Sequence, residues 1–289
     1  MSHIVKIDRL AIIGVGLIGG SFALALKQAG AVREVLGVGR TAASLKLARQ
    51  HGLIDRTVDI AEAAQADCIL LAMPVGETAA VLTQLAPHLK PGAIVTDAGS
   101  TKANVIAAAR AALGARFSDF VPGHPIAGSE LNGPLAARAD LFQSRKVVLT
   151  PEPETRGDAQ ALVKALWAAT GAQVEILKAD LHDRIFAAVS HLPHLAAYAL
   201  VNELAQRENS ADFFRFAASG FRDFTRIAGS SPEMWCDIAL ANRQALLSEM
   251  DAYIAALQRV REAVKLGDEE ALLKIFSRAR NAREHWINK

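Results

Sequence analysis

Four short stretches carry side chains that could do chemistry. In Gly123-His-Pro-Ile-Ala-Gly-Ser-Glu130, His124 stands between a glycine and a proline. Histidine is the side chain best matched to taking a proton from an alcohol near neutral pH. Pro125 holds it extended and out of any helix, although a lone loop histidine is more often a surface or structural residue. In Asp97-Ala-Gly-Ser-Thr-Lys102, Ser100 follows an apolar strand run. Ligands of open α/β sheets bind at such strand ends, and a serine there can also be a turn or N-cap residue. In Ser190-His-Leu-Pro-His194, His191 and His194 share one helix face beside a proline that cannot donate to the carbonyl of Val189. No acidic or cysteine partner stands at ligand spacing, so a pocket wall is expected there and a metal is not. In Gly220-Phe-Arg-Asp-Phe-Thr-Arg226, Arg222 and Arg226 lie four apart among aromatics. That is either a solvated helix face or a bidentate grip on an anionic substrate.

These residues need a scaffold, and the scaffold starts at Leu10-Ala-Ile-Ile-Gly-Val-Gly-Leu-Ile-Gly-Gly-Ser21. An apolar run feeds glycines 14, 16 and 19, and a helical pattern follows to Gln28. Gly14 suits the tight strand-to-helix turn, Gly16 the approach of backbone to a pyrophosphate, and Gly19 close helix–strand packing. The phosphates would sit at the positive helix end near Leu17 and Ile18. A second strand, Glu34 to Val38, closes the βαβ unit. Twenty positions past Gly19, where NAD enzymes carry a ribose-binding acid, stand Gly39, Arg40 and Thr41. A missing carboxylate and a neighbouring guanidinium favour NADP, with NAD possible. Arg40 as a plain solvated arginine is the alternative. Ala72 and Pro74, at the end of strand Asp67 to Ala72, complete the expected cofactor-binding set.

Strand and helix keep alternating: helices over 42–51, 78–85, 102–113 and 156–170, and strands over 93–97, 120–121, 146–150 and 173–177. The runs at Cys68 to Ala72 and Ile94 to Thr96 are apolar on both faces, as parallel strands covered by helices are. The prediction is an α/β fold, a Rossmann-like doubly wound parallel sheet over 1–178, followed by an all-helical domain over 179–289. In that second part Asp180 to Gln206 reads as a long apolar helix interrupted by Pro193. A shorter helix covers 213–218. Ser231-Pro232 starts a helix expected to run unbroken to about Leu266, and a last helix covers 269–286 after Gly267-Asp268. A helix that long, apolar on more than one face, is expected to bury itself in a homodimer.

Half of the 289 residues are hydrophobic, a fifth are charged and the net charge is +2. Nothing there points to a nucleic-acid or membrane partner. Cys68 and Cys236 lie in apolar stretches and read as reduced core residues. The first residues lack the apolar core of a leader, and no apolar run reaches the ~18 residues of a membrane span. A cytoplasmic location is expected.

Taken in order, G-x-G-x-x-G, D-x-G-S-x-K, G-H-P-x-A-G-x-E, S-H-L-P-H and G-F-R-D-x-T-R-I-A closely resemble the prephenate and arogenate dehydrogenases of tyrosine biosynthesis. The resemblance spans essentially the whole chain. It implies oxidative decarboxylation of prephenate, arogenate or both, with hydride transfer to a nicotinamide, and a dimer formed by the helical domain. It implies that His124 accepts the ring hydroxyl proton, that Ser100 supports it, and that Arg226 grips the ring carboxylate. His194 matches a substrate-pocket residue. Ser129, Glu130, Arg222 and Trp235 match the pocket mouth, and His191 joins the expected substrate set. Because the helical region ends at Lys289, no appended regulatory domain is expected, and any feedback by tyrosine would act at the active site. A β-hydroxyacid-type dehydrogenase would carry a catalytic lysine on a helix of the second domain after a glycine-rich stretch, a setting that Lys178, Lys265 and Lys274 lack. A protein that binds NADP(H) without chemistry is the other alternative, and the joint presence of His124, Ser100 and Arg226 argues against it.

Overall fold

The computed structural model describes residues 5–128 and 131–287. Compactness divides the chain into Met1–Arg243 and Gln244–Lys289. In the first unit six parallel strands form one sheet: β1 (Ile7–Ile13), β2 (Val32–Val38), β3 (Arg56–Thr57), β4 (Cys68–Leu71), β5 (Ile94–Asp97) and β6 (Phe120–Val121). Their order is β3-β2-β1-β4-β5-β6, the dinucleotide-binding order whose direction reverses between β1 and β4. Ile13 pairs with both Val38 and Leu71, and Leu71 pairs with Asp97. The carboxyl ends of four strands are therefore level, and the turns after them share one edge.

Alternation along β1 sorts the core into two. Leu10 and Ile12 face one cluster, with Phe22 and Leu26 of helix Leu17–Gln28 and Trp167 of helix Gly157–Ala169. The rings of Phe22 and Trp167 lie 4.3 Å apart. Ala11 and Ile13 face the other, with Leu82 and Leu85 of helix Thr78–Leu85 and Val105, Ile106 and Ala109 of helix Ala103–Leu113. Both faces are dry, which accounts for the uninterrupted apolar strand sequences.

The later strands depart from expectation. They do not extend the large sheet. β7 (Gly123–Pro125) runs antiparallel to β8 (Lys146–Leu149), and β9 (Gln173–Ile176) is parallel to β8, making a separate three-stranded sheet. Only Pro122 separates β6 from β7, so the chain leaves one sheet and enters the next within a residue. His124 therefore sits in a paired strand, opposite Val148, and not in a loop.

The helical part also differs. Ala179–Ala205 is one continuous stretch of 27 helical residues, apolar enough by length and composition to cross a membrane. A long apolar helix was expected over 180–206, but one interrupted at Pro193 and without a run of membrane-spanning length. It nevertheless carries the buried polar residues His182, Asp183 and His191. Pro193 does not interrupt it. The irregularity lies before the proline, a π-helical turn over Ala187–His191 in which the Leu192 N–H reaches the Ala187 carbonyl. The wider turn accommodates the donor that proline lacks. Ala179, Leu195, Tyr198, Met234 and Ala241 pack on the second core cluster. Compactness thus divides the chain after Arg243, whereas the last strand ends at Ile176, close to the expected boundary at 178.

The long helix expected from Pro232 is broken. Helix Pro232–Ala241 stops at Asn242, and Arg243–Leu266 follows. Asn242 is buried, and its amide donates to the carbonyl of Asp183 at 2.8 Å and contacts His191 Nδ1 at 3.1 Å. Cys68 is buried but Cys236 is exposed, so only one of the two is a core residue. The second unit consists of the rest of helix Arg243–Leu266 and helix Glu269–Ile287, and it leaves Leu247, Ile254, Leu257, Val264, Leu273 and Phe276 exposed.

Candidate active site

The edge shared by the strand ends holds a cleft of about 920 Å³. Gly14 turns the chain with φ +96°, and a Cβ there would lie 2.7 Å from the backbone of Ala72. At Gly19 a Cβ would meet the Gly14 carbonyl at 2.5 Å. Gly19 is buried and permits packing, so it does not line the cleft. Gly16 is different: a Cβ would point into open space. Helix Leu17–Gln28 begins there with no side-chain cap, leaving its first N–H groups to an anionic ligand. Leu17, Ile18, Ala72 and Pro74 line the same cleft. Open space over Gly16, an uncapped helix end and apolar walls fit a dinucleotide.

Arg40 and Thr41 also line the cleft, with tasks of their own. Thr41 Oγ1 accepts the Ser44 N–H and caps the next helix. Arg40 Nη1 donates to Glu77 Oε1 at 3.1 Å, from a side chain that is 79% exposed. The guanidinium that would take a 2′-phosphate thus already has a carboxylate beside it.

Ser100 and His124 line the same cleft. Gly123, just before His124, is held from two sides by a buried ion pair between Asp97 and Lys102. Asp97 Oδ1 accepts the Gly123 N–H at 2.9 Å, and Lys102 Nζ donates to the Gly123 carbonyl at 2.7 Å. A Cβ at Gly123 would approach the Asp97 carbonyl to 2.9 Å, so the residue before the histidine must be glycine. Asp97 Oδ2 also accepts the Gly99 N–H, which fixes the turn leading to Ser100. Burial pulls the Lys102 ammonium below its usual range, against the pull of Asp97.

Partly exposed His124 contacts His182 rather than Ser100, Nδ1 to Nε2, at 2.8 Å. His182 Nδ1 contacts Asp183 Oδ1 at 2.8 Å. Asp183 in turn accepts the N–H groups of Lys102 and Ala103, one on each oxygen, at the start of helix Ala103–Leu113. Burial, then His182, Lys102 and His191, hold His124 well below the usual histidine range. Burial also lowers His182, although Asp183 opposes it. For Asp183 burial acts upward, but the hydrogen bonds from His182 and the two amides outweigh it and keep the carboxyl low.

The remaining expected residues gather around Trp235. His194 stacks on its indole with ring centroids 3.6 Å apart, and His191 lies edge-on at 6.1 Å. His194 Nδ1 bonds the Ser190 carbonyl at 2.8 Å, and burial, then nearby Arg226, lower its pKa. His191 is buried, which brings its pKa down to about 4. Trp235 is buried as well, in the second core cluster, and so forms part of the wall under His194. Arg222, on helix Ser219–Thr225, and Arg226, at the turn after it, are both exposed. None of these five lines the 920 Å³ cleft itself. Ser129 and Glu130 lie outside the described residues. Among the described residues no group of three His, Cys, Asp or Glu side chains could hold a metal.

Sequence reasoning passed over Asp97, Lys102, His182, Asp183 and Asn242. The first two stood in the D-x-G-S-x-K motif, where the spacing marked only the serine. His182-Asp183 was visible as a polar pair at the start of an apolar helix.

Residues 22–176 match the family model described as prephenate dehydrogenase, nucleotide-binding domain, and residues 178–278 match prephenate dehydrogenase, dimerization domain. The chain is 38% identical over 278 residues to the cyclohexadienyl dehydrogenase of Zymomonas mobilis, covering 95% of this chain and 94% of that one. It is 36% identical over 281 residues to the prephenate dehydrogenase of Bacillus subtilis, covering 96% and 76%. Its fold is similar to the crystal structure of the Aquifex aeolicus prephenate dehydrogenase in complex with hydroxyphenyl propionate and NAD+. The TM-score is 0.91 at 34% identity, over 97% of this chain and 99% of that one.

Proposed function

The chain belongs to the prephenate dehydrogenase family and is an oxidoreductase of tyrosine biosynthesis that oxidatively decarboxylates prephenate, arogenate or both; within that activity we propose that His124 accepts the proton of the ring hydroxyl. The observation that carries this role is the placement of a neutral imidazole in the cleft that the phosphate-binding turn also lines. A bound nicotinamide supplies the hydride acceptor. Neutral His124 draws the hydroxyl proton as charge develops on the oxygen, a contribution of typically ~10²–10⁴-fold. Ser100, on the turn fixed by Asp97, supports the hydroxyl from the same side. Arg226 grips the ring carboxylate, and orienting a dianion in this way is a proximity effect. His194, His191, Arg222, Ser129, Glu130 and Trp235 form the rest of the substrate side.

For the cofactor, Gly14, Gly16, Leu17, Ile18, Ala72 and Pro74 hold the dinucleotide while Gly19 packs the helix on the strand, and Arg40 with Thr41 favours NADP because no acid follows β2. NAD is the second reading. The Arg40–Glu77 pair favours it, since a 2′-phosphate would have to displace or repel Glu77. The same proposal includes a division of labour at 178/179, a cytoplasmic enzyme and a homodimer. The dimer is supported by the match to a dimerization domain and by the exposed apolar side chains of the second unit. The test is steady-state turnover of prephenate and of arogenate by the purified protein, each with NADP and with NAD. Absence of turnover with all four combinations would overturn the assignment.

A further inference from the structure

The hydrogen-bonded series from the start of helix Ala103–Leu113 to the cleft has a direction that the geometry determines. Each oxygen of Asp183 already accepts a backbone N–H, Oδ1 from Lys102 at 2.8 Å and Oδ2 from Ala103 at 2.9 Å. Such a group is an ionised carboxylate and can only accept. His182 Nδ1, 2.8 Å from Oδ1, must then be the protonated nitrogen of its ring. A neutral imidazole carries one N–H and one lone pair, so His182 Nε2 is an acceptor. His124 Nδ1, 2.8 Å away, must donate to it. That leaves the lone pair of His124 on Nε2, the ring nitrogen that does not face His182, in a residue that lines the cleft. Phe186 packs against both imidazoles, at 4.9 Å from His124 and 4.5 Å from His182, and limits rotation of either ring.

We propose that His182 and Asp183 are positioning residues, which hold His124 in the Nδ1–H tautomer so that Nε2 is the proton acceptor of the reaction. The inference rests on His124 being the base. When the O–H bond of the substrate breaks and an Nε2–H bond forms, His124 becomes an imidazolium. Its Nδ1–H goes on donating to His182 Nε2, so the contact that orients the ring is kept through the proton transfer. The buried ion pair of Asp97 and Lys102 fixes the strand, while the His182–Asp183 pair fixes the ring. The two tasks fall to different side chains.

Asp183 also holds the N-terminus of helix Ala103–Leu113, so its removal confounds positioning with stability. His182 is the cleaner site. His182→Leu removes the acceptor at similar bulk, whereas His182→Gln retains one acceptor and one donor. Nitrogen-15 NMR of histidine-labelled full-length protein reports which His124 nitrogen carries the proton, without any need for turnover. The wild type and His182→Gln should show it on Nδ1, and His182→Leu should shift it at least partly to Nε2. In steady state His182→Leu should lose about 10²-fold in kcat with KM little changed, and His182→Gln should recover roughly tenfold of that loss. A wild-type His124 protonated on Nε2 would overturn the proposal, as would His182→Gln losing as much as His182→Leu. If His182→Leu fails to fold by circular dichroism, the wild-type tautomer and the kcat of His182→Gln still decide. Failure of the wild type to turn over prephenate and arogenate would instead remove the functional reading, and the tautomer would remain as measured.

Discussion

The imidazole of His124 lies among groups that oppose its protonation: burial first, then His182, Lys102 and His191. A base must be neutral before the reaction, and a depressed pKa keeps it so at lower pH. The acidic limb of kcat/KM should therefore fall below the ordinary histidine value of about 6.5, with activity flat from neutral pH down through that value. A limb centred at or above it, in a pH–rate profile of the free enzyme, would mean that another group titrates. His124→Asn should lower kcat by ~10²-fold or more while cofactor affinity changes little, because the phosphate turn is untouched. Single-turnover kinetics with cofactor titration checks both halves, and a near-normal kcat would remove His124 from the chemistry.

Secondary-structure elements meet at the site through a few buried polar residues. Lys102 is fully buried, and its ammonium joins β5, through Asp97, to β7, through the Gly123 carbonyl. Lys102→Met keeps the volume but leaves the Asp97 carboxylate buried and uncompensated, so it should cost about 3–5 kcal/mol. Urea unfolding measures this, and a loss under about 1 kcal/mol, the size of a surface pair, would show that the ion pair does not hold the two strands. At the end of β2 the expected effect is smaller. Arg40 is exposed and already paired with Glu77, so its preference for a 2′-phosphate should amount to no more than roughly tenfold in kcat/KM. Arg40→Ala should remove it by raising the KM for NADP. Gly39→Asp should reverse it, since the new Cβ needs only a small shift of the Leu45 side-chain tip, 3.2 Å away. A wild-type preference for NAD, or an unchanged ratio in Arg40→Ala, would reduce Arg40 to a partner of Glu77.

At the scale of the whole molecule, the second unit exposes apolar side chains along helix Arg243–Leu266 at helical spacing: Leu247, Ile254, Leu257 and Val264. Helix Glu269–Ile287 adds Leu273 and Phe276. A pair of helices with that much uncovered apolar surface is a subunit interface in the making. The protein should sediment as a dimer at micromolar concentration, and replacing Ile254 and Leu257 with charged residues should shift it toward monomer. A monomeric wild type in equilibrium sedimentation would contradict the match of residues 178–278 to a dimerization domain.

The sheet was legible in the sequence because its signals are local. The apolar runs of β1, β4 and β5 and the glycines at 14, 16 and 19 each answer to backbone geometry within a few residues. His124, Ser100 and Arg226 were legible as candidates because short motifs flank them. What the sequence could not give was the pairing of residues far apart in the chain. Whether β7 extends the large sheet or starts a second one depends on which edge is already covered. The break at Asn242 follows from buried partners, the Asp183 carbonyl and His191, more than fifty positions away. His182 stood with Asp183 as a polar pair at the start of an apolar helix, and only the fold sets it 2.8 Å from His124, fifty-eight positions earlier. Periodicity records which face of an element is dry; it holds no information about which buried donor meets which acceptor, and that is decided when the elements pack.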